Sequence, residues 1–316
     1  MKADVHRHLG GSFPLEFIWK LVQKHRLKVE SFDTLKRRMT FQSGDQGNFQ
    51  LFLKKFNILQ NIPWSMADVE EGVIETVNSI ANEHIQYCEL KLSLNKYGAQ
   101  QWLEAAQVIC RAIKETAQTR QITVKPVLAL KYESSRESQR AISSAVLRHS
   151  ICDEFIALDL VGDERFFDDD FYRPICDDWL SAGKVLMAHV GESQSGRNVL
   201  KAIKLGITRI GHGIKALRYP DIIREANDRG ICFDLALSSN LATGIVKSID
   251  SHPIKQMLAQ GCECTLGTDD PTIFDTDLDR EYWLAGQAGL TSHQIEILKN
   301  NAAERVMSVA LDHYCS

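Results

Sequence analysis

The chain has 316 residues, of which 44% are hydrophobic and 25% are charged, a balance typical of a folded globular protein. Its 37 basic and 41 acidic residues give a formal net charge of −4, so the composition offers no basic surface for a nucleic-acid backbone. No apolar run is long enough to span a bilayer, and the N-terminus lacks the residue order of a secretory signal. We therefore expect neither nucleic acid nor membrane as a partner.

Eight cysteines are scattered along the chain, and none forms a Cys-x-x-Cys pair. They are Cys88, Cys110, Cys152, Cys176, Cys232, Cys262, Cys264 and Cys315. Without an export signal, a chain of this length is expected to keep its cysteines as buried, reduced thiols. The sequence therefore predicts a cytoplasmic protein.

Strand-like and helix-like segments alternate along the chain. Eight apolar segments are predicted as strands, namely 3–6, 86–93, 122–130, 155–162, 184–189, 209–211, 231–238 and 264–267. Helical spacing of apolar residues appears between them at 102–119, 199–205, 220–226 and 254–259. Strand followed by helix, repeated, indicates a parallel sheet, and eight is the strand number of a TIM barrel. The predicted fold class is α/β, a (β/α)8 barrel.

One connection, residues 13–84, is too long for a simple crossover between strands. It carries a helical apolar stripe formed by Phe49, Phe52, Leu53, Phe56 and Leu59. The stripe packs against the barrel wall in one interpretation and caps the barrel mouth in the other, and the two are compatible. No repeat or flexible linker marks a boundary, so we expect residues 1–316 to form one domain with a helical cap inserted after strand 1.

Histidines and acids follow several of the predicted strands. His6 and His8 lie one residue apart on the first strand, so both side chains point to the same face. His189 ends the fifth strand, His212 follows the sixth and Asp269 follows the eighth. Each motif alone has a structural explanation, such as a turn, a helix N-cap or a hydrogen-bonded strand residue. The carboxyl ends of all strands in such a barrel lie at the same face. The joint placement of these histidines and acids at strand ends therefore predicts a metal site.

Three imidazoles and one carboxylate suit zinc, with iron, cobalt and manganese as alternatives. The end of the fourth strand, residues 157–164, contains no lysine that could help to bridge two metals, which favours a single ion. The chain has no His-Glu-x-x-His motif and no glycine-rich nucleotide loop.

The chain resembles the adenosine deaminase family of metal-dependent hydrolases over nearly its whole length. The matching runs are His6-Arg7-His8-Leu9, 159–164, His189-Val190-Gly191-Glu192, Gly211-His212-Gly213, Ser238-Ser239-Asn240, 267–271 and Asn301-Ala302-Ala303. The resemblance implies hydrolytic deamination of an adenine-type purine nucleoside or base, from a 6-amino to a 6-oxo ring with release of ammonia.

The same resemblance implies a role for each matching residue. His6, His8, His189 and Asp269 would hold one zinc ion and its water. His212 would orient and polarise that water, with Asp269 also accepting its proton.

The resemblance implies three further residues on the purine side. Glu192 would protonate the ring nitrogen beside the attacked carbon, which requires a carboxyl that keeps its proton in a dry pocket. Asp270 and the amide of Gly162 would bind the two sides of the purine.

Two positions depart from the family pattern. Gly10 stands where the family carries an acid, followed by Gly11 and Ser12. Either the missing acid clears space for a bulky or anionic 5′ substituent, or Ser12 is the N-cap of the next helix and the glycines serve the turn.

Lys91 replaces a frequent arginine and would bind an anion or lie at the solvated rim. Arg7 faces away from the histidines and should form a structural ion pair.

Several alternatives remain beside deamination of a plain adenine nucleoside or base. A related hydrolase would act on a 5′-modified or N6-substituted adenine nucleoside or nucleotide. A non-catalytic binding homologue would require the loss of a metal ligand, and none is lost. The sequence leaves open the preferred purine, the native metal and the oligomeric state.

Overall fold

The computed structural model describes residues 1–42, 44–45, 48–97 and 101–312, with side chains as far as residue 305. The eight strands are β1 (Ala3–His8), β2 (Tyr87–Leu92), β3 (Thr123–Lys131), β4 (Ala157–Val161), β5 (Val185–Val190), β6 (Arg209–His212), β7 (Cys232–Leu235) and β8 (Glu263–Leu266). They form one sheet in the order β1 to β8, and every neighbouring pair is parallel.

The sheet closes on itself just beyond β8. The amide of His8 donates to the carbonyl of Asp269 at 2.8 Å, and the amide of Asp269 donates to the carbonyl of His6 at 2.8 Å. The predicted (β/α)8 barrel is confirmed. Because all three of these residues are candidate metal ligands, the backbone pairing that closes the barrel also fixes the candidate site.

Helices surround the strands. They are α1 (Leu15–Lys24), α2 (Phe32–Met39), α3 (Phe49–Lys55), α4 (Asn57–Asn61), α5 (Met66–Asn82), α6 (Trp102–Arg120), α7 (Arg136–Leu147), α8 (Asp169–Ser181), α9 (Arg197–Lys204), α10 (Pro220–Asp228), α11 (Leu237–Ala242), α12 (Ile254–Ala259), α13 (Pro271–Phe274), α14 (Leu278–Gln287) and α15 (Ser292–Asp312). The four helices expected from apolar spacing correspond to α6, α9, α10 and α12. Their apolar faces are buried, as Val199, Ala202 and Ile203 show in α9.

Helices α1 to α5 all lie between β1 and β2. The apolar stripe of α3 and α4 contacts the barrel, since the Phe52 ring stacks on the Phe274 ring with centroids 5.3 Å apart. Phe49, Phe52 and Phe56 are nevertheless only half-buried, because they also line the cavity above the strand ends. The stripe therefore contacts both the barrel and the cavity.

The predicted strand 231–238 is too long. β7 ends at Leu235, and α11 begins at Leu237. The Glu281 carboxylate accepts hydrogen bonds from the amides of Leu237, at 2.7 Å, and Ser238, at 3.2 Å. These bonds satisfy the first amides of the short helix, so a residue more than forty positions away ends the strand.

Seven cysteines lie in the described part of the chain, and all are buried and free of disulfides, as predicted. The eighth, Cys315, lies outside the described residues. Among the helices that the structure describes, none has the length and apolar character needed to cross a membrane.

Candidate active site

Four predicted ligands meet at the carboxyl ends of the strands. His6 and His8 come from β1, His189 comes from β5, and Asp269 follows β8. One ligand atom from each lies within 4.8 Å of all the others. His189 Nε2 is 2.9 Å from His6 Nε2 and 3.2 Å from His8 Nε2, and Asp269 Oδ1 is 3.5 Å from His8 Nε2. Ligands bound at about 2.1 Å around a tetrahedral zinc ion lie about 3.4 Å apart.

Hydrogen bonds at Nδ1 orient the imidazole rings of His6 and His189, so that Nε2 of each ring faces the other candidate ligands. His6 Nδ1 is 3.2 Å from the Asp234 carbonyl oxygen, and His189 Nδ1 is 3.2 Å from Asp159 Oδ1. Both partners only accept, so each Nδ1 donates its ring proton and each Nε2 faces the other candidate ligands. Burial holds the pKa of His6 and of His8 well below the usual value, so these rings are neutral. With Nδ1 occupied in both rings, Nε2 of His6 and Nε2 of His189 face each other at 2.9 Å beside His8 and Asp269, and this donor set fits a divalent metal.

Asp159 links His189 to a buried lysine. Lys91 Nζ is 2.7 Å from Asp159 Oδ2, and both side chains are almost fully buried. Burial alone would raise the pKa of Asp159, but Lys91 and His189 hold it well below the usual range. The expectation that Lys91 lies at a solvated rim is wrong, because this charge is needed inside the barrel to balance Asp159. Asp159 belongs to a matching run, yet only the structure shows its contact.

A chain of hydrogen bonds fixes the proton of His212. The amide of Ile254 donates to His252 Nδ1 at 3.1 Å, so the neutral His252 ring carries its proton on Nε2. That nitrogen lies 3.2 Å from Asn240 Oδ1, and Asn240 Nδ2 lies 3.2 Å from His212 Nδ1. Burial holds the pKa of His252 near 4 and that of His212 well below the usual value. His212 therefore carries its proton on Nε2.

Sequence reasoning did not assign a role to Asn240 or His252. Asn240 lies in the matching run Ser238-Ser239-Asn240, which could have suggested it. His252 had no such signal, because only the packing of α11 against the following loop brings it to Asn240.

Three predicted catalytic groups face one point. His212 Nε2 lies 3.6 Å from Glu192 Oε1 and 3.7 Å from Asp269 Oδ2. His212, with φ 63°, and Asp269, with φ 59°, both adopt the left-handed backbone conformation that side chains disfavour. Such strain costs about 1–3 kcal/mol at each residue and concentrates at functional sites. A small molecule between the three groups would reach all of them.

The loop that carries Glu192 is clamped by a buried acid. The carboxylate of Glu164 accepts from the amides of Gly191 at 2.6 Å, Glu192 at 3.2 Å and Gln194 at 2.8 Å. Burial, followed by the charges of Asp269 and Glu164, raises the pKa of Glu192 well above its usual value. Glu192 therefore has the property required of a proton donor at neutral pH.

Asp270 and Gly162 lie on the wall of the same cavity. Burial and the neighbouring charge of Asp269 raise the pKa of Asp270 well above its usual value. Gly11 lies against Asp270 so closely that any Cβ at this position would overlap the Asp270 side chain. Gly11 is thus required for the packing of a predicted substrate-binding residue.

Gly10 has no such requirement. A Cβ built at Gly10 would have Phe56 as its nearest neighbour, at 3.9 Å, within ordinary contact distance. Gly10 also lines the cavity. The absence of a side chain here therefore leaves room in the cavity without serving the packing of the turn.

Ser12 and Arg7, which lie close in sequence to the candidate ligands His6 and His8, both form hydrogen bonds within the protein. Ser12 donates through Oγ to the carbonyl of His8 at 2.6 Å, whereas α1 begins at Leu15 with Pro14 as its N-cap. The interpretation of Ser12 as a helix N-cap is therefore wrong. Arg7 donates to Glu83 Oε1 at 2.7 Å, which confirms its predicted ion pair.

The candidate catalytic groups open into a cavity of about 490 Å³. Polar strand ends form its floor, and aromatic side chains of α3 and α4 form part of its wall. Pockets of this size and character bind small organic molecules.

A family model described as Adenosine deaminase matches residues 1–312. The chain belongs to the adenosine deaminase family. An adenosine deaminase from Shewanella denitrificans is 27% identical over 309 residues, which cover 96% of this chain and 92% of that protein. The chain is thus a hydrolase of the adenosine deaminase family that deaminates an adenine-type substrate.

Solved structures share the fold. A cog1816 amidohydrolase from Burkholderia ambifaria with bound Zn has a TM-score of 0.83 and 18% identity, covering 96% of this chain and 84% of that chain. The N6-methyl-AMP deaminase of Arabidopsis thaliana has a TM-score of 0.80 and 20% identity, covering 96% of this chain and 90% of that chain. The family's barrel is therefore preserved at low sequence identity.

Proposed function

We propose that the chain deaminates its purine at a single zinc ion held by His6, His8, His189 and Asp269. The main support is the convergence of the four side chains, whose ligand atoms lie within 4.8 Å of one another. A divalent ion bound there supplies positive charge that makes water a stronger acid near neutral pH. Three nitrogen ligands and one oxygen ligand are typical of a catalytic zinc site.

His212 and Asp269 act on the attacking water. The His212 Nε2–H group is a fixed donor that orients the water oxygen toward the ring carbon. Asp269 Oδ2, 3.7 Å from that nitrogen, accepts a water proton. Because His212 is held in one tautomer, no reorientation of the ring is needed before attack.

Glu192, Asp270 and Gly162 act on the purine. Glu192 donates its proton to the ring nitrogen beside the attacked carbon, which makes that carbon electrophilic. Asp270 and the Gly162 amide hold the ring on either side. The water oxygen bonds to C6, the C6–N6 bond breaks, and ammonia leaves with the transferred protons. The product is the 6-oxo purine.

A second candidate is a nucleotide or N6-substituted adenine substrate. The open space at Gly10 favours it, because the acid that the family places there would repel an anionic 5′ group. The similar Arabidopsis structure is named for a substrate that carries both a 5′-phosphate and an N6-methyl group.

The helices within residues 13–84 would cap this site as part of one domain, residues 1–316. Phe49, Phe52 and Phe56 already line the cavity, so a bound purine would contact their rings. The seven buried free thiols favour a reducing compartment, and we propose the cytoplasm.

Ammonia release by purified protein tests the proposed function. Adenine, adenosine, AMP and their N6-methyl counterparts form the panel, with methylamine also measured for the latter. The proposal expects turnover of at least one adenine-type compound, abolished by chelation and restored by zinc. A correctly folded, zinc-loaded protein that releases neither amine would instead support a non-catalytic binding homologue.

A further inference from the structure

Two lysines line the cavity without an acidic partner. Lys96 lies in the loop after β2, and Lys131 is the last residue of β3. Within the described residues, neither nitrogen lies within 4.0 Å of a carboxylate oxygen. Lys91 in the same cavity differs, because Asp159 neutralises it.

Aromatic rings hold the ammonium group of Lys96 in place. Its Nζ lies 4.7 Å from the ring centroid of Trp64, 5.0 Å from that of Tyr97 and 5.3 Å from that of Phe13. The faces of aromatic rings attract cations, so these three rings fix the position of the charge. A lysine held this way is better placed to bind a ligand than a lysine that moves freely on a surface.

Lys96 and Lys131 repel each other. Surrounding protein, followed by the charge of Lys131, lowers the pKa of Lys96 to about 7. Glu133, two residues beyond β3, also lines the cavity, but its carboxylate accepts from the amide of Asp163 at 3.2 Å and lies more than 4.0 Å from both lysine nitrogens. Lys96 is exposed at the cavity and Lys131 is half-buried, so a ligand in this cavity would meet two positive charges, which favours a ligand that carries negative charge.

The lysine pair lies beside the purine-binding residues. Lys96, Lys131, Gly162 and Asp270 all line the same cavity of about 490 Å³. Gly10 lines the same cavity and has open space where a side chain would project. A substrate whose base lies at Asp270 could therefore extend an anionic substituent toward Lys96 and Lys131.

We propose that Lys96 and Lys131 form an anion subsite for a phosphate or carboxylate carried on the sugar of the adenine-type substrate. This inference rests on the proposed function, because it assigns the substrate class of the same site. The subsite would make an anionic nucleoside, rather than adenosine or free adenine, the preferred substrate.

The test compares kcat/KM for AMP, for adenosine and for adenosine 5′-carboxylic acid. The variants are Lys96→Met, Lys131→Met and the double variant, with exposed Lys204→Met of α9 as the matched control. The ratio of AMP to adenosine kcat/KM should fall about 10-fold or more for each lost charge, because charge-assisted hydrogen bonds are strong. The control should keep the wild-type ratio. The 5′-carboxylate separates the two anion sources. A higher wild-type kcat/KM for AMP identifies phosphate as the preferred anion, and a higher value for the 5′-carboxylate identifies a carboxylate.

Calorimetric binding of IMP and inosine separates failure of the subsite from failure of the proposed function. The double variant should bind IMP at least about 10-fold more weakly than the wild type, with a smaller change for inosine. This result without ammonia release would keep the subsite and overturn the deaminase function. A variant that deaminates adenosine with an unchanged AMP ratio and an unchanged IMP affinity would overturn the subsite alone.

Discussion

Asn240 donates from its side-chain nitrogen to His212 Nδ1 at 3.2 Å, and this contact fixes which ring nitrogen of His212 carries the proton. The direction of this hydrogen bond is set by the Ile254 amide, which can only donate. Its bond to His252 Nδ1 leaves the His252 proton on Nε2, which donates to the Asn240 oxygen, so the Asn240 nitrogen faces His212. His212 consequently offers an N–H group toward Glu192 and Asp269.

Asn240→Asp should reverse the contact. A carboxylate accepts from His212 Nδ1–H and leaves Nε2 as an acceptor, which removes the donor that orients water. A wrong tautomer can cost about 10⁴-fold in kcat in a catalytic triad, and we expect at least a 100-fold loss here. Asn240→Ala should be milder, and zinc content should stay unchanged in both variants. An Asn240→Asp protein with wild-type kcat would show that the proton position is unimportant.

Glu192→Gln should lower turnover by orders of magnitude while the metal remains bound. The amide is close in size to the carboxyl group but cannot transfer a proton to the ring, and loss of general acid catalysis costs about 10²–10⁴-fold. Rates of ammonia release beside elemental analysis check this prediction. A variant with normal zinc and normal turnover would require another proton donor.

Glu281 should make stability depend on pH. Burial raises its pKa to about 7, above the ordinary value of 4.5. Its contribution to folding is therefore fully present below pH 4.5 and is lost as the pH rises through 7, by up to about 3 kcal/mol. The stability of Glu281→Gln relative to wild type should accordingly increase between pH 4.5 and pH 8. Urea unfolding of both proteins at each pH measures this difference, and a constant difference would show that Glu281 stays ionised.

Gly10→Asp should shift preference away from anionic substrates. The position has space for a side chain, so the variant should fold, and its carboxylate would repel a 5′-phosphate in the cavity. We expect the ratio of AMP to adenosine kcat/KM to fall at least about 10-fold. Gly10→Asn is the uncharged control, and an equal change in both variants would indicate a steric effect.

The barrel and the convergence of the four candidate ligands were predictable from the sequence, because the carboxyl ends of barrel strands lie at one face. His6 and His8 share a strand face, and His189 and Asp269 follow other strands, so position along the chain implied position in space.

Other features depend on contacts that the sequence does not encode locally. β7 stops at Leu235 because Glu281 binds the next amides, and Lys91 is buried because Asp159 lies opposite it. The partnership of Asn240 with His252 likewise arises only when α11 and the following loop pack together.

Titration of metal-free protein with zinc, followed by ammonia release from the best purine substrate, measures how many zinc ions each chain needs for activity. We expect no activity without metal, a linear rise with added zinc and a break at one zinc ion per chain. Full activity of the metal-free protein, or a break at two ions per chain, would contradict a single zinc ion held by His6, His8, His189 and Asp269.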